Sequence, residues 1–274
     1  MNVIDNGRSR VHDSGIMRYK VIACRVFWRE LSLLSARSSV SLDVTWIQQG
    51  LHNYPDLLRD EIQGEIDRAE DTPTGPTSIT TPPEDYAGVI LGFGLCSGAV
   101  TGVRSHRLPL ILPRSHDCIA LLLGSRCRYN EELRREPATY WFSPGWLEEA
   151  SLPAGGQRDL IAARLRHLYG GDNSEYLVEL ARSSLSDYRR ANLIQWPELL
   201  REDRLERVHA LAADFGWRVE NLTGDAAWLT RIVEGEWTAE DVATARPGET
   251  FAADTDGEVV KVISADGSRL ERYA

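Results

Sequence analysis

Lysine is almost missing from this chain. Of its 31 basic residues all but Lys20 and Lys261 are arginine, and 41 acidic residues outweigh them to a net charge of −10. That balance excludes the broad basic face on which nucleic-acid binders rely, while scattered arginines still suit local pairing with a small anion. Long apolar runs are also lacking: none approaches the roughly 18–20 residues that cross a bilayer. The opening stretch MNVIDNGRSRVHDSGIM has no apolar core of the signal-peptide kind, so residues 1–18 read as a disordered lead-in and the protein as cytoplasmic. Cysteine is scarce, with four residues and no C-x-x-C spacing, which excludes a disulfide framework and any compact local metal knuckle. G-x-S-x-G and G-K-[ST] are absent. GFGLCSGAVTG (92–102) resembles a phosphate loop only superficially, because its spacing is G-x-G-x-x-x-G and no acidic residue ending a following strand completes the fingerprint.

What is present alternates. YKVIACRV (19–26), SLDVTWIQQ (41–49), YAGVILGFG (86–94) and RLPLILPR (107–114) read as strands, the third apolar throughout, as in a strand buried on both faces. Between them, FWRELSLLSARSS and the stretch after Gly50 repeat at helical spacing, and Leu57, Leu58, Ile62 and Ile66 mark the buried stripe. HDCIALLLGSRCRYNEELRRE reads as one helix, and TPTGPTSITTPPED (72–85) as a loop. Further on, RRANLIQWPE and WRVENLTGD are strand candidates, roughly 157–190, REDRLERVHALAADFG and AWLTRIVEGEWTAEDV are helical, and the end alternates like a hairpin. Strand–helix alternation predicts a Rossmann-like, doubly wound, mostly parallel α/β sheet with helices on both faces, forming a single domain over residues 19–274.

In such sheets ligands bind beyond the carboxyl ends of the strands. Those turns carry Cys24 and Arg25; then Gln48, Gln49, Gly50 and His52; then Gly92, Gly94, Cys96 and Gly98; then Arg114, His116, Asp117 and Cys118. A cysteine at three of four turns singles out Cys24, Cys96 and Cys118 as candidate ligands of zinc or an iron–sulfur cluster. Taken singly, each cysteine reads better as a small buried hydrophobe. His52, His116 and Asp117 are the candidate acid/base groups, Arg114 the candidate partner of an anionic small-molecule substrate, and Gly94, Gly98 and Gln49 the candidate cofactor contacts. Cys118, at a helix start beside Arg114, is expected to have a lowered pKa. Tyr140, Trp141 and Trp146 could wall off a pocket, although aromatics near a turn are more often core or lid packing than ligand contacts.

The stretches ACRVFWREL, QQGLHNYPDLLRDEIQ, ILGFGLCSGAVTG, LILPRSHDCIALLLGS and ATYWFSPGW resemble an uncharacterised family catalogued as domain of unknown function 1638. They cover roughly residues 20–150, and the second half resembles it only loosely. The resemblance implies cysteines at the positions of Cys24, Cys96 and Cys118, and an association with corrinoid-dependent methyltransferases, hence with one-carbon or methyl-group metabolism. It implies no established activity. Three readings follow: a metalloenzyme using the three cysteines, an accessory or metal/corrinoid chaperone protein serving a methyltransferase partner, and a metal-free enzyme with Cys118 as thiolate nucleophile and His116 or His52 as base.

Overall fold

The computed structural model describes residues 16–71, 86–149, 152, 161–163, 166–167, 170–255 and 257–264. The predicted loop at 72–85 and most of the predicted lead-in lie outside them, although Arg18 already pairs with Ser41 as the first strand residue. The chain falls into two compact units, one comprising residues up to Cys118 and from Ala227 onward, the other Ile119–Ala226.

The first unit is built on a five-stranded, mostly parallel sheet. Its strands are β1 (Arg18–Cys24), β2 (Ser41–Ile47), β3 (Gly88–Gly92), β4 (Leu110–Pro113) and β8 (Val242–Ala245), in the order β2-β1-β3-β4-β8. The first four run parallel, and β8 closes the edge antiparallel to β4. Helix α1 (Trp28–Arg37) links β1 to β2, and α2 (Pro55–Asp71) follows β2. As the 3.6-residue spacing predicts, α2 buries Leu58, Ile62 and Ile66, with Ala69 beside them. Leu57, expected on the same stripe, is exposed because it precedes Leu58 by one residue and so falls about 100° round the helix. The four buried residues of α2 join Ile22, Val89, Leu91, Leu110 and Leu112 in one core, together with Phe251, Val259 and Val260 of the hairpin β9 (Glu249–Asp254) and β10 (Val259–Ser264). Strand alternation sends Val21, Ala23 and Ile90, all buried, to the opposite face. Each Ile or Leu so buried contributes about 1.5–3 kcal/mol. This is why the β3 segment reads as one unbroken apolar run.

The second unit carries a separate three-stranded parallel sheet, β5 (Thr139–Phe142), β6 (Arg190–Gln195) and β7 (Arg218–Thr223), in sequential order. The single helix expected after β4 is two, α3 (Cys118–Leu123) and α4 (Arg126–Arg135). Gly124 breaks it in a left-handed conformation, φ +73°, where a side chain would strike Asp225. Helices α5 (Pro144–Glu149), α6 (Gly171–Ser183) and α7 (Glu202–Ala213) complete this unit, and α8 (Ala227–Glu234) returns the chain to the first. Among the described residues no helix is long and apolar enough to cross a membrane.

Candidate functional site

Strand order decides what the cysteines can do. Because β1, β3 and β4 are neighbours, Cys24 ends one strand while Cys96 and Cys118 follow the next two, at the carboxyl edge of one sheet. Cys24 and Cys96 pack with Leu51 and Leu95 against the rim of the core. All three cysteines are half-buried residues whose thiols face inward, whereas Cys127, in the second unit, is exposed.

The loops after β3 and β4 are laced together. The Leu95 N–H donates to the Ser115 carbonyl at 2.7 Å and the Cys96 N–H to the His116 carbonyl at 3.1 Å. Gly94 makes this contact possible, since a Cβ there would stand 2.5 Å from the Asp117 nitrogen and 2.6 Å from its Cα. Gly94 therefore lets the two loops close on each other, and the amides of Leu95 and Cys96 are committed to protein carbonyls. Beyond it the chain takes three successive left-handed residues, Cys96 (φ 45°), Ser97 (φ 58°) and Gly98 (φ 84°). For Cys96 and Ser97 that conformation costs about 1–2 kcal/mol each, and such strain is concentrated at functional sites.

The electrostatics overturn one expectation. Burial pushes the Cys24 thiol up to about 11, a backbone hydrogen bond at Val26 offsetting only part of the rise. Burial first, then the charges of Cys24 and Asp117, push Cys96 up to about 12 against a lowering contact at Gly94. Cys118 is raised well above its ordinary value by burial, then by Asp117, Cys24 and Cys96. The expected lowering at Cys118 fails because desolvation and negative neighbours outweigh the start of a six-residue helix. It also fails because Arg114 faces elsewhere. Its guanidinium, 2% exposed, donates to the carbonyls of Ala239 (2.7 Å), Val242 (3.2 Å) and Val260, and pairs with the Glu258 carboxylate at 3.3 Å. Arg114 ties β8 and the hairpin to the strand end, so it is no partner for an anionic substrate.

The remaining candidates divide. Asp117 acts electrically on both Cys96 and Cys118, whereas the His116 ring is exposed and its carbonyl is spent on Cys96. His52 lies in the 3-10 turn Leu51–Asn53, which packs against the turn Cys96–Gly98, and desolvation holds its pKa below the ordinary imidazole value. Gln49 follows Ile47, the register partner of Cys24, and its Oε1 is buried with no donor among the described residues. The Gly98 carbonyl accepts from Thr101 Oγ1 at 2.6 Å and Arg59 Nη2 at 3.4 Å. Arg59 was not legible as a site residue, standing among the charges of α2. Tyr140 and Trp146 pack with Phe142 and Trp217 in the second unit's core, and Trp141 lies against Tyr129. Among the described residues no three His, Cys, Asp or Glu side chains stand as a group that could hold a metal ion.

These features define a mostly parallel α/β protein with a cysteine on each of three adjoining turns at the carboxyl edge of its larger sheet. A family model, described as a protein of unknown function (DUF1638), matches residues 46–233, and the chain belongs to that family. The match begins after Cys24, takes in Cys96 and Cys118, and extends well past residue 150, so the second half is part of the family pattern rather than a loose appendix to it. No curated protein and no solved structure matches the chain.

Proposed function

We propose that the carboxyl edge of the larger sheet is a soft-metal site, and that the protein is a zinc- or iron–sulfur-dependent enzyme acting there on a small molecule. One observation carries the reading: Cys24 ends β1 while Cys96 and Cys118 follow its neighbours β3 and β4, so three cysteines lie on adjoining turns at one edge of the sheet. Near neutral pH such a cluster is protonated and weak as base or nucleophile, which disfavours the metal-free thiolate. A soft cation is the partner that ionises all three together. The chemistry of the donors, three sulfurs with one position left open, suits zinc or a site-differentiated cluster. The described side chains do not stand as a metal-holding group, so a bound metal would have to draw them together. Cys24, Cys96 and Cys118 would hold it. When bound, zinc supplies a Lewis acid, and a cluster supplies redox or Lewis-acid chemistry.

Two finer points belong to the same reading. Right-handed crossovers would put α1 and α2 on opposite faces, giving the Rossmann-like doubly wound arrangement. Its ligand crevice opens where strand order reverses, here between β1 and β3, the strands that lead to Cys24 and Cys96. His52 and Asp117 are the acid/base candidates in this reading, and the buried Gln49 oxygen is suited to accept a hydrogen bond from substrate. Three free thiols fit a reducing, cytoplasmic setting. Methyl-group transfer alongside corrinoid-dependent enzymes is the reaction class that the family resemblance suggests.

Zinc, iron and acid-labile sulfide measured on anaerobically purified protein test this. Wild type should carry one of the two metals, and Cys24→Ala, Cys96→Ala and Cys118→Ala should each lose it. Absence of both metals from wild type, before and after anaerobic reconstitution, overturns the proposal. Metal retained without turnover, in a stable complex with a corrinoid methyltransferase, would make it an accessory protein instead.

A further inference from the structure

The turn that carries Cys96 is strained and is held from outside. Cys96, Ser97 and Gly98 take left-handed conformations in succession, two of them without the freedom of glycine. Within the turn, the Gly98 N–H reaches the Leu95 carbonyl at 2.8 Å and the Ala99 N–H the Cys96 carbonyl at 3.1 Å. Two neighbours hold it from outside: the His116 carbonyl accepts the Cys96 N–H at 3.1 Å, and Arg59 of α2 reaches its other end. Its Nε donates to the Thr101 carbonyl at 2.8 Å and its Nη2 to the Gly98 carbonyl at 3.4 Å, while Asp56 holds Nη1 at 2.9 Å. Thr101 Oγ1 adds a donor to the same Gly98 carbonyl. A guanidinium fork fixed at one tip by a carboxylate thus holds the trailing end of the strained segment at Gly98 and the Thr101 carbonyl just beyond it, through charge-assisted bonds.

We propose that Arg59 is a positioning residue for the three-cysteine site, clamping the 96–98 turn in the left-handed form that presents Cys96 beside Cys24 and Cys118. The inference rests on the reading of those cysteines as one site. Without the clamp, the turn relaxes toward right-handed backbone and Cys96 leaves its partners. Cys24 and Cys118 are anchored by a strand end and a helix start and stay.

The test uses metal-free full-length protein and N-ethylmaleimide, following each cysteine by peptide mass spectrometry with exposed Cys127 as internal reference. Arg59→Met should speed labelling of Cys96 about tenfold, the change expected when one charge-assisted hydrogen bond stops holding a closed form. Cys24 and Cys118 should keep their rates. Arg59→Lys should restore part of the protection, and Thr101→Val should give a smaller change of the same pattern. Adding Ser97→Gly to Arg59→Met should return Cys96 toward the wild-type rate, because glycine adopts the left-handed form without a clamp. Equal acceleration of all three cysteines, or no change at Cys96, overturns the proposal. Cadmium binding to wild type, read by thiolate-to-metal charge-transfer absorption, separates the two claims. If wild type takes up no cadmium while the labelling pattern holds, the clamp stands and the metal reading fails.

Discussion

At the scale of single residues, the three thiols are governed by burial rather than by any activating charge. The sign of their effect on stability follows from the shifts. Cys24 and Cys96 rise from an ordinary 9.0 to about 11 and about 12, so the unfolded chain releases their protons at lower pH than the folded one. Their contribution is complete below pH 9 and is lost as pH climbs through 11 to 12. Thermal melts should therefore show a loss of stability above pH 9 that is shallower in the double variant Cys24→Ser/Cys96→Ser; equal slopes would mean that other groups dominate. Arg114 makes the opposite kind of statement. The sequence offered it as a ligand because it follows a strand end, yet residues more than a hundred positions later fold over and take its donors. Arg114→Met should lower stability by about 3 kcal/mol in urea unfolding, because buried carbonyls lose a charged donor, and should leave binding of small anions unchanged.

At the scale of elements, periodicity carried most of the first unit and failed where elements are short or packed from a distance. The runs at β1 to β4 and the stripe of α2 were legible because burial imposes a period. TYWF at β5 and VATA at β8 have only four residues each, too few to separate a strand from an aromatic turn or a helix end. The break at Gly124 answers to Asp225, a neighbour about a hundred residues away that local spacing does not reveal. Gly94 was legible as special but not as what it is, since the close approach of Asp117 depends on how two loops meet. Gly94→Ala sharpens the point. A methyl group 2.5 Å from backbone cannot be accommodated by a side-chain shift, so the loops must part, at about 1–3 kcal/mol by analogy with overpacked cores. Loss of stability together with faster labelling of both Cys96 and Cys118 is the expected outcome. A stable variant with unchanged labelling would remove Gly94 from the site.

At the scale of the molecule, the candidate site exists because of strand order, which no local pattern encodes. Cysteines at residues 24, 96 and 118 converge only if β1, β3 and β4 are neighbours; a strand inserted between any two would separate them by a further 4.7–4.9 Å of sheet. The consequence for ligand binding is local. A soft metal that draws on all three thiols would tie together the loops following three strands of the larger sheet. Hydrogen exchange with and without cadmium reads this directly. Protection should rise at residues 24–27, 93–99 and 114–118, and β5, β6 and β7 should exchange as before. A binder that instead protects the second unit, or protects all elements evenly, would be occupying some other site. By mass action, cadmium at about a hundred times its dissociation constant should add about 2.7 kcal/mol to the folded state. That gain should vanish when any one of the three cysteines is replaced by serine and persist in Cys127→Ser, because Cys127 stands exposed in the other unit.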